Sequence, residues 1–263
     1  MKYAVSIPPF TDSRTVIALA REAEQAGWDG VFLWDHMQWT AGMPVHDPWV
    51  LLGAIAQVTE KALLGTMVTP ASRRRPTVLA KQMTSLDHLT DGRAVLGVGL
   101  GDPADLDFSD LGDVADARGR AALLDESLDV IDQLWRGPTD HAGEHFTVKA
   151  DFLPRPVQQP RPPVWVAGIA PNKNPLRRAR RWDGVVPLVP EGGISPQQLA
   201  DYLALVPAEE GQSEPWDVVA HWNRGVPVEE YADAGATWLV ISAWPTKDGW
   251  VEALRKDIGT ALG

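Results

Sequence analysis

Short apolar runs alternate with stretches of helical periodicity along the whole chain. Most of these runs are rich in Val, Leu and Ile and lack strict alternation between apolar and polar residues, which is typical of parallel strands covered on both faces. The pattern therefore predicts buried parallel strands joined by helices. The expected strands are residues 3–7, 31–34, 63–68, 94–98, 164–167, 184–188, 216–220 and 237–242.

Capping residues mark where several of the intervening helices begin. Asp47 precedes Pro48, the favoured pair for the N-cap and first helical positions, and Ser195 opens a capping box. Asn174 precedes Pro175 in the same way and is expected to cap a short helix. The expected helices are residues 13–26, a helix from 48, then 76–89, 115–136, 175–181, 196–205, 228–234 and 249–262.

Eight strand–helix units in 263 residues fit a single closed (β/α)8 TIM barrel of the α/β class. An open, doubly wound sheet is the alternative, because a pattern of elements does not show whether the sheet closes. The chain is expected to form one domain over residues 1–263, with an insertion at about 137–163. That insertion combines a hairpin at 141–148 with the proline-rich run 151–163, which cannot lie in a central strand.

Composition and charge exclude several classes of protein. The formal charge of −11 argues against a general nucleic-acid binder, which needs a basic surface to neutralise phosphates. The absence of cysteine excludes disulfide scaffolds, thiolate zinc sites and cysteine nucleophiles. No apolar run reaches the roughly 18 residues of a membrane span, and no signal-peptide pattern opens the chain. We therefore expect no membrane partner and a cytoplasmic location.

The loop after the second strand carries the clearest candidate chemistry. Asp35 and His36 place a carboxylate and an imidazole at one strand end, where a barrel collects its functional residues. An imidazole in that position can transfer protons near neutral pH. Trp34 and Trp39 flank the pair and Trp244 follows the eighth strand, so these indoles can form the wall of a substrate pocket. Core packing of the tryptophans, with a simple loop hydrogen bond for His36, is the structural alternative.

The loops after the third, fourth and fifth strands give weaker signals. Gly99 and Gly101 end the fourth strand and let a flat ligand approach the backbone, although they form neither a dinucleotide fingerprint nor a P-loop. Lys173 lies beside an expected helix start, where free backbone N–H groups can bind phosphate. At least two of the three arginines at 73–75 are expected to be solvated.

Metal and hydrolase chemistry have little support in the sequence. The remaining histidines, at 46, 88, 141, 145 and 221, show no metal-ligand spacing, so no metal is assigned. No G-x-S-x-G elbow is present, which argues against a serine hydrolase. A lyase or isomerase on the same barrel needs a lysine or a pair of carboxylates at the strand ends, and no convincing one stands out.

Six segments together resemble the luciferase-like monooxygenase superfamily. They are AGWDGVFLWDH at 26–36, GTMVTP at 65–70, RRP at 74–76, LDHLTDGR at 86–93, VLGVGLG at 95–101 and PPVWVAG at 162–168. The combined pattern is fairly specific, and the resemblance covers nearly the whole chain. It implies a barrel that binds FMN or the deazaflavin F420 at the carboxyl ends of its strands. It also implies an oxidoreductase or monooxygenase that acts on a small organic substrate.

The resemblance also assigns roles to individual positions. His36 matches a histidine near the reacting ring that assists proton transfer or polarises the substrate. Val68 and Thr69 match the strand end that packs on the ring, where the family often has a non-proline cis peptide bond. The cofactor phosphate is expected near the loop after the fifth strand. Taken together, the loop patterns and the resemblance predict these cofactor-binding positions: Asp35, Val68, Thr69, Gly99, Gly101, Gly168, Asn172 and Lys173.

Two departures from the family pattern bear on function. The chain is short between the sixth and eighth strands, which gives the expected barrel a shortened C-terminal half and can remove cofactor contacts. The family's usual asparagine or glutamate just beyond the fourth-strand glycines is absent, and Asp102-Pro103 stands there. A family member that binds the cofactor without turnover is therefore the alternative to an enzyme. The basic residues of the third and fifth loops favour F420 slightly over FMN, and family habit predicts a homodimer.

Overall fold

A closed ring of parallel strands forms the centre of the computed structural model, which describes residues 1–39, 42–190, 192–207, 216–245 and 248–260. The described strands are β1 Lys2–Ile7, β2 Gly30–Leu33, β3 Leu63–Pro70, β4 Ala94–Gly99, β5 Thr139–Ala142, β6 Thr147–Ala150, β7 Val164–Ile169, β8 Gly184–Leu188, β9 Asp217–His221 and β10 Trp238–Ser242. All except β5 and β6 belong to the ring, in the order β1-β10-β9-β8-β7-β4-β3-β2, and β1 pairs with both β2 and β10, so the ring closes. The predicted (β/α)8 barrel is confirmed and the open sheet is excluded.

Helices cover the outside of this ring, and five of the eight described helices begin at the predicted residue. The side chains of Asp47 and Ser195 accept hydrogen bonds from backbone N–H groups three residues further on, which satisfies donors that a helix leaves unpaired. The described helices are α1 Ser13–Gln25, α2 Pro48–Ile55, α3 Pro76–Leu89, α4 Ala117–Arg136, α5 Lys173–Ala179, α6 Pro196–Ala204, α7 Val228–Asp233 and α8 Trp250–Ile258.

The start of α5 differs from the sequence prediction. Asn172, and not Asn174, is the N-cap, because the Asn172 side chain accepts a hydrogen bond from the backbone N–H of Asn174 at 3.0 Å. The helix therefore begins at Lys173 and ends at Ala179. At the other end of the chain, α8 stops at Ile258, and residues 261–262 of the predicted helix lie outside the described residues.

The lower part of the barrel interior is filled by aromatic side chains. Along each strand, alternate residues point into the barrel and toward the surrounding helices. Phe32, Trp165 and Trp238 point inward and are almost fully buried, with ring centroids of neighbouring pairs 5.2 and 5.3 Å apart. A ligand therefore cannot pass through the barrel and has access only at the carboxyl ends of the strands.

The insertion between α4 and β7 is held against the barrel. Its first part is the predicted hairpin, in which β5 and β6 pair antiparallel. In the proline-rich part, the Gln158 amide donates to the Asp87 carboxylate and to the Ala94 carbonyl, both at 2.7 Å. These bonds fix the run to α3 and to the first residue of β4. None of the described helices combines the length and apolar composition that crossing a bilayer requires.

Candidate active site

A histidine–carboxylate pair lies where the loops after β2 and β4 meet. His36 follows β2, and its Nδ1 lies 2.7 Å from Oδ2 of Asp107, in the loop after β4. Because an ionised carboxylate only accepts hydrogen bonds, Nδ1–H is the donor, and the neutral ring keeps the lone pair of Nε2 free. None of the described residues makes a hydrogen bond to Nε2 of His36. His36 can therefore exchange a proton with a bound molecule.

Four donors converge on the buried carboxylate of Asp107. Besides His36, the backbone N–H groups of Met37 and Gln38 donate to it at 3.0 and 3.1 Å. The guanidinium of Arg73 adds a charged hydrogen bond at 2.8 Å. Burial opposes ionisation of Asp107, but the bonds from His36 and Gln38 and the charge of Arg73 outweigh it and lower the pKa of the carboxyl. Asp107 is therefore a fixed anion that orients the His36 ring.

Asp35, the residue before His36, is fully enclosed by protein donors. Arg74 binds it in a bidentate manner, with Nε and Nη2 at 2.8 and 2.7 Å, and the hydroxyl of Thr69 donates at 2.7 Å. Trp49 Nε1 lies at 3.3 Å from the same carboxylate. Burial opposes ionisation, but the Arg74 and Arg73 charges and the Thr69 bond lower the pKa of Asp35. Both Asp35 and the Thr69 hydroxyl thus make contacts inside the protein.

Arg73 connects the two buried carboxylates. Its Nη1 donates to Asp107, while Nη2 donates to the Asp35 carboxylate at 3.0 Å and to the Asp35 carbonyl at 2.5 Å. Only 2% of its side chain is exposed. The sequence prediction that at least two of the three arginines are solvated is wrong, because Arg73 and Arg74 are ion-paired and only Arg75 is exposed. Burying a carboxylate without an ion-pair partner costs a large amount of free energy. The two buried carboxylates therefore need the guanidinium groups of Arg73 and Arg74 as partners.

The three tryptophans expected at the mouth are brought together around His36. Their ring centroids lie 5.6 Å apart for Trp34 and Trp244, 5.9 Å for Trp39 and Trp244, and 6.1 Å for Trp34 and Trp39. The His36 ring packs edge-on against Trp39 at 4.6 Å. Phe10, from the loop after β1, completes the cluster 5.4 Å from Trp39. We call these four rings, Phe10, Trp34, Trp39 and Trp244, the aromatic wall.

Residues with small side chains lie at the carboxyl ends of β3, β4 and β7. Val68 follows a cis peptide bond with Met67, as the family resemblance implies for this strand end. A Cβ placed on Gly99 would lie 2.8 Å from Val68 Cγ2 and 3.6 Å from the Ala167 Cβ. Gly101 has a φ of +80°, and a Cβ there would meet Phe108 and Pro70. Val68, Gly99 and Ala167 therefore form a low surface, which we call the small-residue face.

The residues expected to bind phosphate lie together at the start of α5. A Cβ on Gly168 would collide with Pro175, so glycine is required there for α5 to pack on the end of β7. Asn172 caps the helix with its own side chain, and Lys173 is exposed. Their role toward a phosphate stays a prediction. Among the described residues, no group of His, Asp and Glu side chains has an arrangement that could hold a metal ion.

Asp107 is a residue of the candidate site that the sequence analysis did not single out. The family pattern has an asparagine or glutamate just beyond the β4 glycines, where this chain has Asp102-Pro103, and the carboxylate that bonds His36 comes five residues after Asp102. The loop holds several aspartates, and Asp105 and Asp110 are exposed. No periodicity distinguishes the one that folds back. Phe108, which follows Asp107 and is buried beneath the Arg73 guanidinium, is the only local sign that this part of the loop turns inward.

Comparison with known proteins agrees with this architecture. The profile of the family described as luciferase-like monooxygenase matches residues 1–222. An F420-dependent glucose-6-phosphate dehydrogenase from Nakamurella multipartita is 35% identical over 70% of this chain and 54% of its own length. The oxygenase component of a flavin-dependent trigonelline monooxygenase from Acinetobacter baylyi is 28% identical, over 60% of this chain and 44% of its own length.

A solved structure with the same fold is matched nearly end to end. The coenzyme F420-dependent tetrahydromethanopterin reductase from Methanopyrus kandleri has a TM-score of 0.79 at 18% identity, over 99% of this chain and 98% of that one. By contrast, the chain spans about half the length of the curated relatives it matches. The profile match over most of the chain and the shared barrel lead to one conclusion: the protein belongs to the luciferase-like monooxygenase family.

Proposed function

We propose that the protein is an oxidoreductase that uses F420, or alternatively FMN, to act on a small organic substrate at the mouth of the barrel. The His36–Asp107 pair carries this proposal. It presents a free imidazole Nε2 at the carboxyl ends of the strands, packed against the aromatic wall, and the small-residue face lies on β3, β4 and β7 of the same ring. A proton-transferring group beside a flat surface is what hydride chemistry on a hydroxyl or carbonyl carbon requires.

The mouth offers surfaces that fit a planar ring system. The small-residue face has no side chain at Gly99, so a flat ring can lie directly against the ends of β3 and β4. The aromatic wall and His36 stand on the β1, β2 and β10 side of the same opening. Val68 and Gly99 would then contact the ring, and Lys173 with the N–H groups near Asn172 would hold a phosphate.

The chemistry divides between cofactor and protein. When bound, the cofactor supplies hydride transfer or, in the case of reduced flavin, reaction with oxygen. His36 would hold or accept the proton of the substrate oxygen at its Nε2, while Asp107 fixes the ring orientation and stabilises the protonated imidazole. Asp35 would act only through Arg73 and Arg74, because its carboxylate faces those arginines. Trp34, Trp39 and Trp244 would exclude water from the reacting atoms.

F420 is the preferred cofactor in this proposal. Two of the three third-loop arginines, Arg73 and Arg74, are ion-paired inside the protein and do not reach toward a ligand. Lys173 and Arg177 on α5 are still exposed at the fifth loop. The support from relatives is stronger: curated proteins 35% and 40% identical to parts of this chain are named F420-dependent glucose-6-phosphate dehydrogenases.

Equilibrium titration tests the proposal directly. The protein is titrated separately with F420 and with FMN, and the quenching of tryptophan fluorescence is followed. We expect saturable, micromolar binding of F420 and weaker binding of FMN. Glucose 6-phosphate and simple secondary alcohols are then added to the complex, and the oxidation state of the cofactor is read from its absorbance. Absence of binding for both cofactors would overturn the proposal.

A cofactor-binding protein without turnover is the second candidate. The segment between β8 and β10 is short for the family, and Asp102-Pro103 stands where the family pattern has an asparagine or glutamate. The same titration separates the two candidates. Binding of F420 or FMN with no change of its oxidation state for any added alcohol, aldehyde or ketone would favour the binding protein over the enzyme.

We further propose that the protein forms a homodimer through the outer faces of α2 and α3. Val50 and Val78 on these helices are 73% and 52% exposed, and they line a groove of about 550 Å³ together with Phe152. Contiguous exposed apolar surface of this kind marks association sites. Light scattering should give a dimer mass for the wild type and a monomer mass for Val78→Glu. Val114→Glu, at an exposed position before α4, is the matched control. A wild-type monomer would contradict this.

A further inference from the structure

His221 lies on the barrel interior at the last position of β9. The side chains of Val219 and Trp238 belong to the buried interior cluster, whereas Val218 and Ala220 pack against the helices. Since successive strand residues alternate, His221 projects inward with Asp217 and Val219. It is half-buried, and among the described residues no group makes a hydrogen bond to its ring. His221 therefore presents to the mouth an imidazole that has no hydrogen-bond partner among the described residues.

The inward residues at the strand ends divide the mouth into two arcs. Val68, Gly99, Ala167 and Leu188, on β3, β4, β7 and β8, form an apolar arc. Ser6, Ser242 and His221, on the adjacent strands β1, β10 and β9, form a polar arc. In the eight-strand order β9 stands opposite β3, so His221 faces Val68 across the barrel.

Two groups of the polar arc keep hydrogen-bonding capacity. The Ser242 hydroxyl donates to the Ser6 carbonyl at 2.8 Å and keeps its lone pairs. Ser6 receives a bond from Trp34 Nε1 at 2.9 Å and is nearly fully buried. Burial lowers the pKa of His221 to about 4, so its ring is neutral near pH 7 and offers one donor and one acceptor. A neutral imidazole and a hydroxyl suit an uncharged polar group better than an anion.

We propose that His221, with Ser242 further along the adjacent strand β10, binds a second, uncharged polar group of the substrate (a hydroxyl, carbonyl or amide) on the side of the barrel opposite Val68. The inference rests on the proposed function, in which the ring lies on the apolar arc and His36 serves the reacting oxygen. A substrate that fits carries two oxygen functions across a small carbon frame, as diols and hydroxyketones do. Such a substrate gives the His221 ring and the Ser242 hydroxyl hydrogen-bond partners inside the mouth, where burial limits their contact with water. His221 is thereby a specificity-determining residue.

A matched pair of probes tests the proposal. The protein, saturated with whichever cofactor binds, is mixed with 1,4-cyclohexanediol or with cyclohexanol, and the imidazole NMR signals of His221 are followed. We expect the diol to move these signals and to bind more tightly than cyclohexanol. In His221→Leu, the diol should lose about tenfold in affinity while cyclohexanol stays within about twofold, because one hydrogen bond is removed.

Controls separate recognition from a general loss of structure. His221→Gln keeps a donor and an acceptor and should restore most of the preference for the diol, and Ser242→Ala should lower it by a smaller factor. Equal binding of both probes, or unmoved His221 signals with both, would overturn the inference. If neither F420 nor FMN binds, the proposed function fails, and the same probes applied to the cofactor-free protein still decide the role of His221.

Discussion

The imidazole of His36 lies 2.7 Å from the carboxylate of Asp107, although 71 positions separate the two residues in the chain. The closed order of the strands brings them together, because the loops after β2 and β4 flank the β3 loop that carries Arg73. Arg73 in turn ties Asp107 to Asp35, the neighbour of His36. One network of hydrogen bonds thus fixes both the imidazole ring of His36 and the backbone directly before it.

Replacing Asp107 by Asn should release the His36 ring. With the carboxylate gone, Nδ1 loses its anionic acceptor, and the neutral ring should change from the Nδ1–H tautomer to a mixture. Nitrogen NMR of the imidazole reads this directly. With turnover established, kcat/KM should fall about 10²-fold. Asp110→Asn, in the same loop but exposed, is the control and should leave both the tautomer and the rate unchanged. An unaltered tautomer in Asp107→Asn would refute the orienting role.

Removing the charge of Arg73 should destabilise the protein. Arg73→Gln leaves the buried Asp35 and Asp107 without the cation that bridges them, and breaking a buried pair from one side costs about 3 kcal/mol or more. The free energy of unfolding is measured by denaturant titration. Arg75→Gln, at an exposed position, should change it by less than about 0.5 kcal/mol. Equal free energies of unfolding for the two variants would mean that the ion pairs of Arg73 with Asp35 and Asp107 do not stabilise the fold.

The barrel itself was predictable from sequence, whereas this ion network was not. Strand and helix positions follow from the periodicity of apolar residues, and helix starts such as Asp47-Pro48 follow from local capping chemistry. Arg73 looks like a solvated loop cation in sequence, because nothing local shows that Asp107 folds back onto it. The cap at Asn172 was missed for a related reason: Asn174-Pro175 has the favoured local capping pattern, and nothing local shows that the helix begins two residues earlier, at Lys173.

Acid should destabilise the protein between about pH 6.5 and 4 through His221. Burial lowers the pKa of His221 from 6.5 to about 4, so in that window the unfolded chain binds a proton that the folded chain does not. The contribution of His221 to the free energy of unfolding is fully present above pH 6.5. It decreases as the pH falls toward 4, by as much as about 3 kcal/mol. His221→Gln should flatten the curve in this window. The lowered pKa values of Asp35 and Asp107 act only at more acidic pH. A wild-type curve that is flat from pH 6.5 to 4 would contradict this.

Adding a methyl group at Gly99 should weaken cofactor binding. The Cβ of Gly99→Ala would approach Val68 Cγ2 to 2.8 Å and raise the small-residue face against which the ring is proposed to lie. We expect the dissociation constant of F420 or FMN to rise about tenfold or more, equivalent to about 1.4 kcal/mol. Gly137→Ala, where the added methyl group meets nothing within 4 Å, is the matched control. Unchanged binding in Gly99→Ala would move the ring away from this face.

The most direct test of the whole account compares wild type and His36→Ala with bound cofactor. Each protein is saturated with F420 or FMN without oxygen, an alcohol or its ketone is added, and the rate of cofactor reduction or oxidation is recorded. The account predicts equal cofactor affinity for both proteins and a rate that falls about 10²-fold or more in His36→Ala, because the proton transfer at Nε2 is lost. Equal rates in the two proteins would contradict it.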